Sequence, residues 1–315
     1  VAGIFDISVN NSHYLDVVKQ TTRFKKKITH PPLTEAYAGN LFWRLFQGDA
    51  ATVLKTLPAK SVHCVVTSPP YFWLRDYGVD GQIGLEESVD EYIVAIRKVM
   101  KEIYRVLHDD GILFLNLGDT YYSGKGESQG KDRKSAKRRF GLRAVDKSGG
   151  LGINLQRKST IGIPWRVANK MCQDKWILRS PIIWHKQKGL PEAVLDRPRR
   201  SYEFVFMFVK QRKYFFNRDP LIEQKFDEDV WTIAPRIKTN GNGTLDTAPF
   251  PDELVERCLK IGCPKNGVVL DPFSGSGTTM RVAFASNRSA IGIELNADFC
   301  EYTSTSMRGL QAKLL

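Results

Sequence analysis

What the chain has little of narrows its class before any motif is read. Its five cysteines, Cys64, Cys172, Cys258, Cys263 and Cys300, are scattered and odd in number, which argues against a disulfide framework. Cys258 and Cys263 have no further Cys or His partners nearby at zinc-site spacing, so no metal is expected. No apolar run is long enough to span a bilayer, and the first residues lack the charged-then-apolar order of a secretory leader. A cytoplasmic protein with no membrane partner is the expectation. Acidic residues are in deficit as well: 34 Asp and Glu stand against 47 Lys and Arg, a formal charge of +13. That excess suits a polyanionic partner, and a merely basic soluble protein is the equal alternative.

At 315 residues one elaborated domain is favoured over two equal ones. Residues 1–40 show weak periodicity around a basic cluster at 23–27 and read as an N-terminal arm; residues 41–315 read as the domain. The β-branched run at 61–67 is a buried strand. Residues 89–107 carry Tyr92, Ile96, Val99, Ile103 and Val106 at helical spacing, stopped at 109–111, and a strand follows at 111–117. Residues 123–160 turn to Gly, Ser, Lys and Arg, too polar for core, and read as a basic insertion. A helix at 165–173 leads to strand-like runs at 176–185 and 202–209, joined by a Pro- and Arg-rich connection. Residues 210–246 look irregular, with Asn240–Gly243 as turn material. Helices at 251–261, 278–286 and 297–314 then alternate with strands at 267–271 and 289–294. Such alternation predicts an α/β fold with a mostly parallel sheet covered on both faces. The pair flanking 186–201 is expected as an antiparallel hairpin at one edge.

Two motifs carry chemistry. Residues 268–279, VVLDPFSGSGTT, are a strand ending in Asp271, a glycine-rich turn and a helix start, which puts backbone amides at the carboxyl edge of the sheet. A phosphate-binding P-loop would need a Lys after Gly277, where Thr278 stands; a dinucleotide fingerprint would need Gly where Met280 stands. The next strand ends in Glu294. Alone it would read as a solvated acid, but beside a glycine turn it suits a carboxylate accepting both ribose hydroxyls of an adenosine. The second motif, TSPPY at 67–71, follows the first strand. Pro69 and Pro70 fix the backbone and free carbonyl oxygens, and Tyr71 offers a flat wall. Acceptors beside an aromatic plane suit a planar amine.

The two motifs resemble motifs I–II and IV of the amino-methyltransferases of bacterial restriction–modification systems. TSPPY before DPFSGSGTT matches the family's β arrangement, a circular permutation, and the likeness covers most of residues 45–305. The resemblance implies a Rossmann-like methyltransferase fold using S-adenosyl-L-methionine. By it, Asp271, Phe273, Ser274, Gly275, Gly277 and Thr278 surround the cofactor's amino-acid part and Glu294 its ribose. Phe250 and Pro251 belong to TAPFPDE, which resembles the segment closing over the methionine end. Asp49 stands where the adenine contact falls, with a helix N-cap as the competing role. Ser68, Pro69, Pro70 and Tyr71 become the catalytic set.

Ser at the first motif position is typical of N4-cytosine enzymes, and Asp or Asn of N6-adenine enzymes. Methylation of cytosine N4 in duplex DNA is thus the expected activity, by direct attack after base flipping. N6-adenine methylation is the alternative, and an inactive DNA-binding methyltransferase-fold module the distant one. Lys134, Lys137, Arg138, Arg139, Arg197, Arg199 and Arg200 are the candidate phosphate contacts. Base readout is expected from 123–160, 186–201 or 210–246. Double-stranded DNA is the implied partner, a cognate restriction endonuclease a separate genetic one, and the nucleoid the place of work.

Overall fold

Apolar runs such as 62–67 and 268–271 are stable as strands only when both sheet faces are covered. In the computed structural model they are β3 (Val62–Thr67) and β8 (Val268–Asp271), buried at every position. The structure describes residues 31–124, 144–147, 149, 151–187, 194–224, 228–236 and 250–314. Among these the other strands are β1 (Thr34–Ala38), β2 (Leu41–Gln47), β4 (Leu107–Leu117), β5 (Ile177–Lys186), β6 (Tyr202–Val209), β7 (Val230–Ile233) and β9 (Ser289–Glu294). The helices are α1 (Ala50–Thr56), α2 (Val89–Val106), α3 (Ile163–Gln173), α4 (Asp219–Glu223), α5 (Asp252–Gly262), α6 (Thr278–Ala285) and α7 (Ala297–Leu314).

All nine strands form one sheet in the order β1-β2-β9-β8-β3-β4-β6-β5-β7. From β2 to β4 the pairing is parallel. β6 is antiparallel to both β4 and β5, which is the expected hairpin. Side chains alternate across the pleat. Val65, Leu113, Leu115 and Leu270 join a core under α1, α2 and α3, while Cys64, Val66, Phe114 and Val269 join a second under α5, α6 and α7. Helix α2 shows how the sequence sets such an element. Ser88 and Glu91 form a reciprocal capping box, and Tyr92, Ile96, Val99 and Ile103 bury one stripe.

Three boundaries differ from the sequence reading. The arm expected over 1–40 gives its last part to β1, which pairs with β2 and extends the sheet; short strands with intermediate burial leave a weak periodic signal. Within the insertion expected at 123–160, Val145 and Leu151 are buried in the first core, so two apolar residues anchor a polar stretch. The segment 210–246, expected as irregular, contains α4 and β7, and β7 lies outside the hairpin, parallel to β5. Its Trp231 and Ile233 are buried against the second core. Asn240–Gly243 falls outside the described residues.

This topology puts the carboxyl ends of β2, β9, β8, β3 and β4 on one edge of the sheet. The hairpin brings the end of β5 and the start of β6 to that same edge.

Candidate active site

A cavity of about 890 Å³ opens on that edge. Gly48 and Asp49, Ser68 to Tyr71, Asn116, Lys186, Glu203, Phe250, Asp271 to Ser276, Thr278 and Glu294 all contribute to its wall. The two motifs read from sequence therefore share one space.

On the β8–β9 side the wall is a set of short backbone bonds. The Gly275 amide donates to Glu294 Oε2 at 2.7 Å and the Asn296 amide to Glu294 Oε1 at 2.8 Å. These fix the carboxylate while leaving each oxygen capacity to accept again. Burial pushes the Glu294 carboxyl up, and the amides of Asn296 and Gly275 pull it partly back. Gly275 has φ +51°, and a Cβ there would meet no protein atom closer than 4.0 Å, so any side chain would project into free space. Gly277, at φ +77°, could not carry one at all: its Cβ would lie 2.6 Å from Thr303 Cγ2. The hydroxyls of Ser274 and Thr278 are buried without a hydrogen-bond partner. An orphaned buried hydroxyl costs free energy unless something else satisfies it, and both residues line the cavity.

Asp271 holds the motif together. Its Oδ1 accepts from Thr67 Oγ1 at 2.7 Å and the Phe273 amide at 3.1 Å, and its Oδ2 from Thr279 Oγ1 at 2.8 Å. Burial raises its carboxyl to about 6 despite these donors. Thr67 stands immediately before the Ser-Pro-Pro-Tyr turn, so one buried carboxylate links both motifs. Asp49 caps α1, accepting from the Thr52 amide at 2.8 Å, and also lines the cavity. The N-cap role is realised, and its position leaves a ligand contact open.

Opposite, the β3–β4 side is made of side chains. The Tyr92 hydroxyl donates to the Pro70 carbonyl at 2.9 Å and holds the turn. Gly118 lies flat against the Tyr71 ring, where a Cβ would come within 2.6 Å of Cε2. The Tyr71 hydroxyl lies 2.7 Å from Glu203 Oε2, 3.1 Å from Asn116 Oδ1 and 3.4 Å from the Ser68 hydroxyl. Asn116 Nδ2 donates to Glu203 Oε2 at 3.1 Å, and the Lys186 ammonium pairs with the other Glu203 oxygen. Burial, followed by the charge of Glu203, pushes the Tyr71 phenol well up, so it stays neutral. Phe72 is core, packed on Tyr92.

Sequence reasoning missed Asn116, Lys186 and Glu203. The available signal was a lone amide in the apolar strand GILFLNL and a lone acid heading YEFVFMFV. Of the basic candidates, Arg200 lines the cavity and its Nη1 is buried without a partner. Arg197 stacks its guanidinium 3.9 Å from the Tyr121 ring centroid, and Arg199 is exposed. Lys134, Lys137, Arg138 and Arg139 fall outside the described residues. Among the described residues no cluster of His, Cys, Asp and Glu suits a metal, and no helix is long and apolar enough to cross a membrane.

Strand order and the carboxyl-edge cavity together put the molecule among the Rossmann-like methyltransferases. Comparisons with known proteins narrow this. The family model described as DNA methylase, for N6 and N4 amino-methyltransferases, matches residues 62–305. The Type II methyltransferase M.XycI of Xanthomonas campestris pv. cyanopsidis is 40% identical over 277 residues, covering 86% of this chain and 89% of its own. M.Cfr9I of Citrobacter freundii is 40% identical over 271 residues, covering 84% and 87%. Among solved structures, a Thermus thermophilus protein described as a DNA modification methylase, complexed with S-adenosyl-L-methionine, aligns at TM-score 0.57 and 26% identity over 85% of this chain and 95% of that one. The cytosine-N4-specific PvuII DNA methyltransferase shares the fold at TM-score 0.62 and 18% identity, over 86% and 92%. The chain belongs to the N6/N4 DNA methylase family and is a DNA amino-methyltransferase of the restriction–modification type.

Proposed function

We propose that the chain methylates the exocyclic N4 of cytosine in duplex DNA, the amine attacking in line after its nucleotide has rotated out of the helix. The observation that carries this reading is the sharing of one cavity by the glycine-rich turn and a Ser-Pro-Pro-Tyr motif. The cofactor is S-adenosyl-L-methionine, and the turn fits it. Glu294 is fixed with acceptor capacity to spare for ribose hydroxyls, and the orphaned Ser274 and Thr278 hydroxyls suit its amino-acid part. Phe273 and Gly275 shape the space beside them, Phe250 borders the methionine end and Asp49 is the adenine acceptor, whereas Gly277 and Pro251 stand off the cavity wall, Gly277 packed on Thr303 and Pro251 capping α5. Asp271 acts mainly by holding the turn to Thr67. When bound, the cofactor supplies a methyl group already activated on a sulfonium.

The protein's own work is positioning. Ser68 and the Pro69 carbonyl accept the amine hydrogens and hold the nitrogen lone pair toward the donor. The Tyr71 ring, locked by its hydroxyl bonds and by Gly118, is the plane against which the base stacks. Arg197, Arg199 and Arg200, with Lys134, Lys137, Arg138 and Arg139, provide phosphate contacts.

Duplex DNA incubated with protein and cofactor, digested and analysed for nucleosides by mass spectrometry, tests the reading. N4-methylcytosine is the expected product. N6-methyladenine would move the target within the family. Cofactor binding without any methylated nucleoside would make the chain an inactive DNA-binding module.

A further inference from the structure

One group on the cavity wall has no task in positioning the amine. Glu203 is an acidic side chain on the cavity wall, beyond both motifs. Methylation of an amine creates the need for such a group. As the carbon–nitrogen bond forms, the nitrogen becomes cationic and must lose a proton to yield the neutral product. Ser68 touches the amine in the reading above, but a serine hydroxyl cannot keep that proton. Behind Ser68 lies a connected path. Its hydroxyl can donate to the Tyr71 oxygen, 3.4 Å away, and the Tyr71 hydroxyl donates to Glu203 Oε2 at 2.7 Å. The first of these distances is long for a hydroxyl pair, as expected for a catalytic bond that tightens once a substrate is in place.

The direction of the hydrogens follows from the acceptor at the end of the path. A carboxylate only accepts, so Tyr71 points its hydrogen at Glu203 and turns a lone pair to Ser68. Ser68 then points its own hydrogen at Tyr71 and presents a lone pair to the amine. Asn116 Oδ1, 3.1 Å from the Tyr71 hydroxyl, is a second acceptor for the same hydrogen, and the shorter 2.7 Å contact favours Glu203, whose Oε2 also takes a hydrogen bond from Asn116 Nδ2 at 3.1 Å. Lys186 pairs with the other carboxylate oxygen and keeps the cluster charge-balanced.

We propose that Glu203 is the terminal proton acceptor of the methyl transfer, acting through Tyr71 and Ser68. The balance is closed. One N–H bond of the methylated amine breaks and its electron pair stays on nitrogen. That proton forms an O–H bond with Ser68, whose own hydrogen passes to Tyr71. The Tyr71 hydrogen passes to Glu203, which ends as the neutral acid and returns the proton to solvent after product release. Because the Tyr71 phenol is held neutral, it relays by taking one proton as it gives another. Glu203 is thereby a positioning and relay residue that does not itself touch the base.

The proposal rests on the amino-methyltransferase reading, and the experiment separates the two. Single-turnover methylation of a cognate duplex is measured for wild type, Glu203→Gln, Tyr71→Phe and the double variant, with cofactor and DNA affinities and melting curves alongside. If wild type itself methylates no amine, the underlying reading fails. If wild type is active, Glu203→Gln is expected to lose about 10²-fold in single-turnover rate at unchanged cofactor and DNA affinity. Tyr71→Phe, which keeps the ring and cuts the path, should lose a similar factor. The double variant should be no slower than either single one, since all three break the same relay. The wild-type rate should fall in heavy water, and that sensitivity should shrink in Glu203→Gln. Full activity in Glu203→Gln, additive losses in the double variant, or a loss matched by weaker DNA binding would each overturn the relay. If Glu203→Gln melts early, Tyr71→Phe and its heavy-water response decide the matter alone.

Discussion

The two walls of the cavity are built on opposite principles. The wall proposed for the cofactor is a contiguous piece of chain. Strand, turn, helix and strand run from Val268 to Glu294, and their polar groups are mostly backbone amides and short hydroxyls held by near neighbours. The wall proposed for the substrate is assembled from four strands. Its central contacts join Tyr71 to Asn116 and Glu203, positions 45 and 132 residues away. Backbone amides offer the same donors whatever the side chains, so the first wall tolerates change outside its glycines, its carboxylate and the Ser274 and Thr278 hydroxyls. Side-chain networks have no such fallback: losing one member leaves the others unsatisfied in a closed space. One wall should therefore fail by steric filling, and the other by loss of a single polar atom.

The largest expected effect follows from the first half of that contrast. Gly275→Leu places a side chain into the cavity at a residue with φ +51°, adding backbone strain to obstruction. Binding of S-adenosyl-L-methionine, followed by calorimetry, should drop by more than about 10²-fold, roughly 3 kcal/mol. Equal affinity in a folded variant would remove the turn from the cofactor site. The polar-atom half of the contrast is tested by Ser68→Ala. It should keep cofactor and DNA affinity and lose about 10²-fold in single-turnover rate, because the lost contact strengthens as charge develops on nitrogen. Unchanged turnover would leave Ser68 a purely structural residue.

How far the two walls could be read from sequence follows the same division. The glycine turn, Glu294 and TSPPY stand out because their chemistry is packed into short stretches with fixed spacing. The central α/β elements were equally legible, since buried strands and a capped amphipathic helix such as α2 leave strong periodic signals. Asn116, Lys186 and Glu203 were not legible. Each is one polar residue in or beside an apolar strand, and only the pairing of β4 with β6 and of β6 with β5 brings them together. β1 and β7 were missed for a related reason. They are short edge strands: β1 is at most half-buried beside its sequence neighbour β2, and β7 pairs with β5 far back in the chain.

Two smaller effects sharpen the comparison outside the walls. Neutralising Lys134, Lys137, Arg138 and Arg139 should weaken cognate and unrelated duplexes alike and flatten the dependence of log affinity on log salt by about one unit per lost contact. Cofactor affinity should stay constant. A selective loss on cognate DNA would instead make these residues base readers, and an unchanged slope would take them off the interface. The smallest expected effect concerns Asp271, the carboxylate joining both walls. Burial raises it from its ordinary 3.8 to about 6, so the folded protein holds this proton to higher pH than the unfolded chain. Its stabilising contribution is complete below about pH 4 and is lost as pH rises through 6. Asp271→Asn cannot titrate, so the gap in melting temperature between it and wild type should change by a few degrees across that window. A constant gap would mean that Asp271 is ionised throughout.

The division of the cavity into a cofactor wall and a substrate wall is tested most directly by a crystal structure with S-adenosyl-L-homocysteine bound. The account predicts density with the ribose hydroxyls on the Glu294 carboxylate and the amino-acid end at the Ser274 and Thr278 hydroxyls, leaving Ser68 and Tyr71 uncovered. Density for the ribose against Tyr71, Asn116 and Glu203, with the glycine-rich turn untouched, would contradict it.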